Sequence, residues 1–376
     1  MARNAGSSHP SYLTYPAYLS YLLVLTCAAR ISAHDPITTK VTWSREVVRI
    51  VNKSCAGCHV AGGVAPMPLS TYDEARPWAK AIKDEVVARR MPKWPAARGF
   101  GHFSNDPSLS PFEIELIAAW ADGGAPKGEE RDLPAKMNEA PGPVANLVIP
   151  FTPRTGAPES QTTTLTVATS LPTDRWIRGW EFTPNDGAII AARFELVGVE
   201  RLADWVAPDR RVMFPDGAAQ RLPAGATLRV VLSFRAQRMQ QDFPVGLPVK
   251  PPTLSLLLED KSTPLEVHHL ALKCKTALIA IHGPSPAVSV FGFRVDEAAP
   301  SSSVGVELSS ADGGIDRPVA WIRSFDPGYR PTYRLATPST GFTDQLWAEA
   351  SDWEHCQLNW DYVVPRGTKG LPRQGK

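Results

Sequence analysis

The chain has 376 residues, 43% hydrophobic and 21% charged, and its 40 basic and 38 acidic side chains leave a formal net charge of +2. That length suffices for two or three domains, and the near balance of charge argues against a polyanionic partner such as nucleic acid. Thirty-six prolines and 27 glycines weigh against a large helical protein and toward loop-rich β structure.

Residues 1–33 read as an export signal. Arg3 gives a weakly positive start, and Tyr18 to Ala29 form an apolar run that ends at Arg30. The run is short for a bilayer span and is followed by small residues, so cleavage after Ala29 or Ala33 is expected, with an uncleaved anchor as the competing reading. Thr26 before Cys27 makes a poor lipidation box. No later segment reads as transmembrane, and the expected location is exported and periplasmic.

The pentapeptide Cys55-Ala56-Gly57-Cys58-His59 has the spacing of a covalent c-type haem attachment site. Two thiols one turn apart reach both porphyrin vinyl groups as thioethers, and the adjacent His59 becomes the proximal iron ligand. Half of a zinc site competes with this reading, but no second Cys/His pair of that spacing follows. A thioredoxin-like motif also competes, but no βαβ pattern surrounds it. One such motif predicts one haem c per chain.

Three helices are expected between residues 40 and 126. The first runs from about Ser44 to Lys53, with Trp43, Val47, Ile50 and Val51 on one face. The second follows a Thr71/Glu74 capping box, restarts at Pro77 and carries Trp78, Ile82, Val86 and Val87. The third opens at Ser110-Pro111-Phe112-Glu113 and stops at Gly123-Gly124. A first and last helix packed across one haem edge is the plan of a class I cytochrome c, so an all-α domain is predicted here. Met91 precedes Pro92, where the chain is thrown out of the α region, and is the expected distal iron ligand. Met67 is the rival and His102 a third choice. Met67 follows His59 by only eight positions, so its segment is assigned to the proximal side, where the carbonyl of Pro68 or of Pro66 accepts the His59 ring N–H.

Residues 127–162 read as a proline-rich linker. Short β-rich runs follow, from Thr163–Thr169 to Gly305–Leu308. They predict an all-β region of two tandem jelly-roll sandwiches, 163–258 and 259–366, with a tail at 367–376. In that tail Lys369, Arg373 and Lys376 read as a small basic end. Cys274 and Cys356 form an even pair in an oxidising compartment, so a disulfide is expected, against two buried free thiols.

Several short runs carry a resemblance. They are Ala65-Pro66-Met67-Pro68-Leu69, Ala75-Arg76-Pro77-Trp78-Ala79-Lys80-Ala81-Ile82, Arg89-Arg90-Met91-Pro92, Gly101-His102-Phe103-Ser104-Asn105-Asp106 and Ser110-Pro111. With these runs the stretch from Val41 to Gly128 resembles the cytochrome c domain of an exported bacterial family. In that family the cytochrome module is fused to a domain like the copper type II, ascorbate-dependent monooxygenases. Asp174 to Phe182, Leu222-Pro223-Ala224-Gly225-Ala226, Val245-Gly246-Leu247 and Phe325 to Tyr333 are similar to segments of its two β-domains. The resemblance implies His59/Met91 ligation and tandem jelly rolls. It also implies two copper sites, and their imidazoles are missing here. Ala191-Ala192 stand at the expected His-His pair, Ser233-Phe234 at the third histidine and Gly283-Pro284-Ser285 at His-x-His. Copper is therefore not expected. His268, His269, His282 and His355 are the weak candidates that remain, with Met213 and Met239 scattered among them. The expected function is electron transfer to an unidentified redox partner protein, with a non-catalytic β-region for docking or ligand binding. A haem-coupled copper monooxygenase is the alternative.

Overall fold

The computed structural model describes residues 40–61, 63–135, 144–152, 162–198, 201–207, 209, 211–234, 251–274, 288–309, 317–342, 345–350 and 354–368. The apolar N-terminal run with Cys27, Met239, residues 245–247, His282, residues 283–285, Lys369, Arg373 and Lys376 lie outside these.

Local signals set the helices. The Thr42 side chain accepts from the Arg45 N–H and opens a π-helical turn, Trp43–Val47, that runs on as α1 (Val48–Ser54). Thr71 and Glu74 form a reciprocal capping box at α2 (Tyr72–Ala75), and a 3-10 turn holding Pro77 leads into α3 (Ala79–Val87). Ser110 and Glu113 form a second box, with Pro111 as first residue of α4 (Pro111–Asp122). Trp43, Val47, Val51, Ile82, Val86, Ile117 and Trp120 meet in one apolar cluster. The Trp120 indole donates to the Pro126 carbonyl at 3.1 Å.

The strands are β1 (Leu147–Pro150), β2 (Thr162–Ala168), β3 (Arg175–Thr183), β4 (Ile189–Leu196), β5 (Arg201–Val206), β6 (Arg211–Met213), β7 (Ala218–Leu222), β8 (Thr227–Phe234), β9 (Thr253–Glu259), β10 (Leu265–Lys273), β11 (Val288–Glu297), β12 (Val304–Ser309), β13 (Arg317–Ile322), β14 (Tyr333–Phe342), β15 (Gln345–Ala350) and β16 (Gln357–Pro365). One long sheet has the order β1-β9-β3-β7-β10-β16-β11-β14, with β6 beside β3. A four-stranded sheet, β2-β8-β4-β5, and a three-stranded sheet, β13-β12-β15, complete the set. Period-2 burial turns one face of β8 to a core, with Leu228, Val230 and Leu232 inward, whereas β11 is buried almost throughout. The four-stranded sheet and the β1-to-β7 part of the long sheet share one apolar core. The β10-to-β14 part shares a second core with residues of β12 and β13. The fold is therefore sandwich-like, and its two halves are joined by the parallel pairing of β7 with β10, Ala218 opposite Leu265 and Ala219 opposite Glu266. β1 lies inside the stretch read as a linker and pairs antiparallel with β9.

Cys274, after β10, and Cys356, before β16, form a disulfide, and the Cys274 N–H donates to the Cys356 carbonyl at 2.9 Å. Among the described residues no helix is long and apolar enough to cross a membrane.

The expected all-α class I cytochrome c domain is not present. Among the described residues strand accounts for 40% and helix for 17%. The N-terminal helices have 7, 4, 9 and 12 residues, and long irregular stretches separate α1 from α2 and α3 from α4. One of those connections, residues 93–106, is not part of a helical domain at all. It pairs with the β-region through bridges from Ala96 to Ile322 and from Phe103 to Leu335. Apolar periodicity marks a helix face, but it carries no record of what the segments between helices pack against.

Candidate functional site

The Cys-x-x-Cys-His run sits where α1 ends. The Cys55 N–H still bonds to the Val51 carbonyl at 2.8 Å, and the Cys55 carbonyl then accepts from Cys58 at 3.1 Å and His59 at 3.0 Å. One tight turn thus carries all three side chains. The following loop folds back on that turn: Ala65 N–H reaches the Cys58 carbonyl at 3.1 Å and Leu69 N–H the His59 carbonyl at 2.9 Å. Gly63 is required there, since a Cβ would lie 2.4 Å from the Cys58 carbonyl oxygen.

His59 Nδ1 lies 2.9 Å from the carbonyl oxygen of Met67. A carbonyl only accepts, so Nδ1 carries the hydrogen and Nε2 of the neutral ring keeps its lone pair. The acceptor is neither Pro66 nor Pro68, as the sequence suggested, but the residue between them. Pro68 keeps Met67 out of the α region, and it is the Met67 carbonyl that meets the ring. Burial lowers the His59 pKa, and the Met67 carbonyl opposes that shift.

Cys55 and Cys58 form no disulfide. Burial, then the neighbouring Cys58, pushes the Cys55 thiol up to about 12. Burial, then the Asp209 carboxylate, pushes Cys58 up to about 11, with Lys93 opposing. Cys58 packs against the core of the first sandwich, whereas Cys55 packs against the helical cluster. The motif therefore straddles the seam between the helices and the β-region. Tyr329 stands on the β side of this seam; burial, then Cys58 and Asp209, raises its phenol pKa. Asp209 is held by Arg334 through two bonds of 2.7 and 3.1 Å. Nothing in the sequence places Asp209, Tyr329 or Arg334 beside the motif, because they lie over a hundred positions from it.

The two methionines differ in setting. Met67 packs against the helical cluster. Met91 lies beyond the end of α3, with 37% of its surface exposed. The strap after it is fixed to the second half of the β-region. Trp94 packs on Tyr333 with ring centroids 5.0 Å apart, and Ala97 N–H bonds to the Trp321 carbonyl at 2.7 Å. Gly101, at φ +70°, leaves no room for a Cβ against the Val319 carbonyl. Asn105 clasps the start of β14, donating to the Thr332 carbonyl at 2.7 Å and accepting from the Arg334 N–H at 3.1 Å. His102 lies on the same strap with its side chain exposed.

A second polar cluster lies between the sandwich halves. Asp204 of β5 contacts Arg193, Arg201 and Arg294 at 2.9, 2.7 and 3.0 Å. Burial alone would raise Asp204, but Arg294, Arg201 and Arg193 outweigh it and hold the carboxyl well below the usual range. Asp361 of β16 accepts from Arg201 at 2.7 Å and from His269 Nδ1 at 2.6 Å. A cavity of about 30 Å³ lies beside these groups, also lined by Trp180 and Phe214, and the buried His269 Nε2 has no hydrogen-bond partner. That volume holds a water or two.

Of the weak copper candidates, His268, His269 and His355 are described, and they are not brought together. His268 and His269 face opposite sides of β10: His268 stacks on Tyr362, while His269 meets Asp361. His355 is exposed in the turn beside the disulfide. Among the described residues no group of three or more His, Cys, Asp or Glu side chains is placed to hold a metal. Ala191 and Ser233, assigned to two different copper-ligand positions of the resembled family, are direct cross-strand partners on β4 and β8.

No family model matches this chain, and no curated protein matches it. Among solved structures it is similar to the major capsid protein P2 from bacteriophage PM2, with 10% identity and a TM-score of 0.26. That match covers 55% of this chain and 94% of the capsid protein. It is also similar to an f-lectin (fucolectin) from the serum of Morone saxatilis (striped bass), with 11% identity and a TM-score of 0.16. There 55% of this chain and 77% of the lectin are covered. At these scores neither likeness bears on fold or function.

Proposed function

We propose that this chain is an exported, periplasmic electron-transfer protein that carries one covalent haem on Cys55 and Cys58, with His59 as one axial iron ligand. The observation that carries the reading is the His59 ring bonded through Nδ1 to the Met67 carbonyl, one residue beyond two thiols on a single turn. A metal-ligating imidazole is oriented in this way, with its second nitrogen donating to a backbone acceptor so that the first is free for the metal. The donor set suits haem c: two thiols outside any disulfide, adjacent in a turn, and a histidine of the correct tautomer. Such a group supplies one-electron chemistry; the chain's own part is to hold its edge and set its ligands. Met91 is the proposed second ligand, supported by the position of its side chain outside the helical cluster and by the tie of Met67 to the His59 side. The β-region is proposed to be non-catalytic and descended from the copper monooxygenase-like family. The cross-strand pairing of Ala191 with Ser233 supports that relationship, since two ligand positions assigned from separate segments fall side by side. The test is acid–acetone extraction of the holoprotein and of a Cys55→Ala/Cys58→Ala variant. Haem should stay with the first chain and leave the second; haem extracted from both would refute the covalent site.

A further inference from the structure

We infer that the second half of the β-region is the positioning element for the distal thioether: it anchors the strap 93–106 and so holds Met91 where it outcompetes other sixth ligands. The inference rests on the haem reading above and assigns the β-region a task within it. Four independent contacts fix the strap. Lys93 reaches Asp326 at 3.5 Å and lies 6.0 Å from the Tyr329 ring centroid. Trp94, three residues after Met91, packs edge-on to Tyr333 and to Phe103. Ala96 and Phe103 bridge to Ile322 and Leu335. Asn105 forms its two-bond clasp on Thr332 and Arg334. The helical side holds Met91 through a backbone bond, its N–H to the Glu85 carbonyl of α3 at 3.4 Å, while the Met91 side chain is absent from the helical cluster.

The physical argument is one of prepaid order. A thioether on a loose loop must lose backbone freedom each time it binds. A thioether three residues from an anchored tryptophan has lost most of that freedom on folding. An external ligand must then displace it, and its apparent affinity is reduced by the small fraction of molecules with the sixth position open. Loosening the anchor enlarges that fraction without touching the iron or its proximal histidine. Trp94, Asn105 and their partners are accordingly positioning residues and make no contact with the reacting centre in this account.

The experiment titrates imidazole into the oxidised holoprotein, following the near-infrared thioether band, for wild type, Trp94→Ala, Trp94→Phe and Asn105→Ala. Imidazole should bind about tenfold tighter in Trp94→Ala and severalfold tighter in Asn105→Ala, with Trp94→Phe restored toward wild type and one haem per chain throughout. A merely structural role would lower thermal stability and leave imidazole affinity unchanged. If Trp94→Ala does not fold, Asn105→Ala decides the matter. Wild-type imidazole affinity and an undiminished band in the folded variants overturn the inference while leaving the haem reading intact. A wild-type chain without haem overturns both.

Discussion

Asp204 on β5 and Arg294 on β11 form a buried ion pair, 3.0 Å apart, that links the two halves of the β-region. Their side chains are 5% and 6% exposed, so neither charge has water to fall back on. Arg193, Arg201, Asp296 and Asp361 extend the pair into a network. Every carboxylate in it has a guanidinium partner, which is the condition for burying such charges.

Removing one partner should therefore be costly. Asp204→Ala leaves Arg193, Arg201 and Arg294 to share the two carboxylates Asp296 and Asp361 beside a vacated site, and should destabilise by about 3–5 kcal/mol. Arg221→Ala breaks only the exposed pair with Asp174, 54% and 43% exposed, and should cost about 0–1 kcal/mol. Urea unfolding of both variants checks the contrast, and equal losses would contradict the placement of the network.

The same network sets the acid limb of the stability profile. The carboxyl of Asp204 is held below the usual range in the folded state, against about 3.9 in the unfolded chain. Its stabilisation is complete above pH ~4 and is lost progressively as pH falls below that value toward the depressed folded one. Asp361, lowered by Arg201 and His269 against its burial, acts in the same direction. Denaturation midpoints between pH 6 and pH 2 should fall steeply for wild type and less steeply for Asp204→Asn. Parallel slopes would show that Asp204 is not the group responsible.

The disulfide closes a loop with a sequence separation of 82 residues. Constraining a loop of that size in the unfolded chain should stabilise by roughly 2–4 kcal/mol. Cys274→Ala/Cys356→Ala should accordingly melt at a lower temperature while leaving the proposed haem attachment in place, since both cysteines belong to a different core cluster from α1. Haem loss in that variant would mean that the two regions are coupled more tightly than these contacts imply.

The sequence was most legible where structure is local. Both capping boxes, Thr71/Glu74 and Ser110/Glu113, and the turn at Pro77 are written in consecutive residues, and the structure has all three. The alternation of Thr163 to Thr169 likewise marks β2 within a residue. What could not be read is what depends on distance along the chain. The irregular stretch after Met91 looked like a loop of a helical domain because its partners, Ile322, Thr332, Arg334 and Leu335, lie more than two hundred positions away. The charge network was hidden for a similar reason. Asp204 stands within Leu202-Ala203-Asp204-Trp205-Val206 and Arg294 within Phe293-Arg294-Val295-Asp296, and a charge set among apolar strand residues is the hint that each run carries. β1 was missed because prolines surround it, although its edge position tolerates them.

The two methionines make a separable prediction. Met91→Ala should abolish the near-infrared band of the oxidised protein and lower its midpoint potential, because a thioether favours the ferrous state. Met67→Ala should retain the band, because the contact with His59 uses the backbone carbonyl of Met67, which the substitution leaves in place. The opposite pattern would move the ligand role to Met67.

The most direct measurement is a count of haem, iron and copper per chain on one purified sample of the exported protein. Pyridine haemochrome should give one haem that survives denaturation, metal analysis should give one iron to match it, and copper should be substoichiometric. A chain without iron, whose Cys55 and Cys58 both alkylate after denaturation, or one that holds stoichiometric copper in place of iron, would contradict the account.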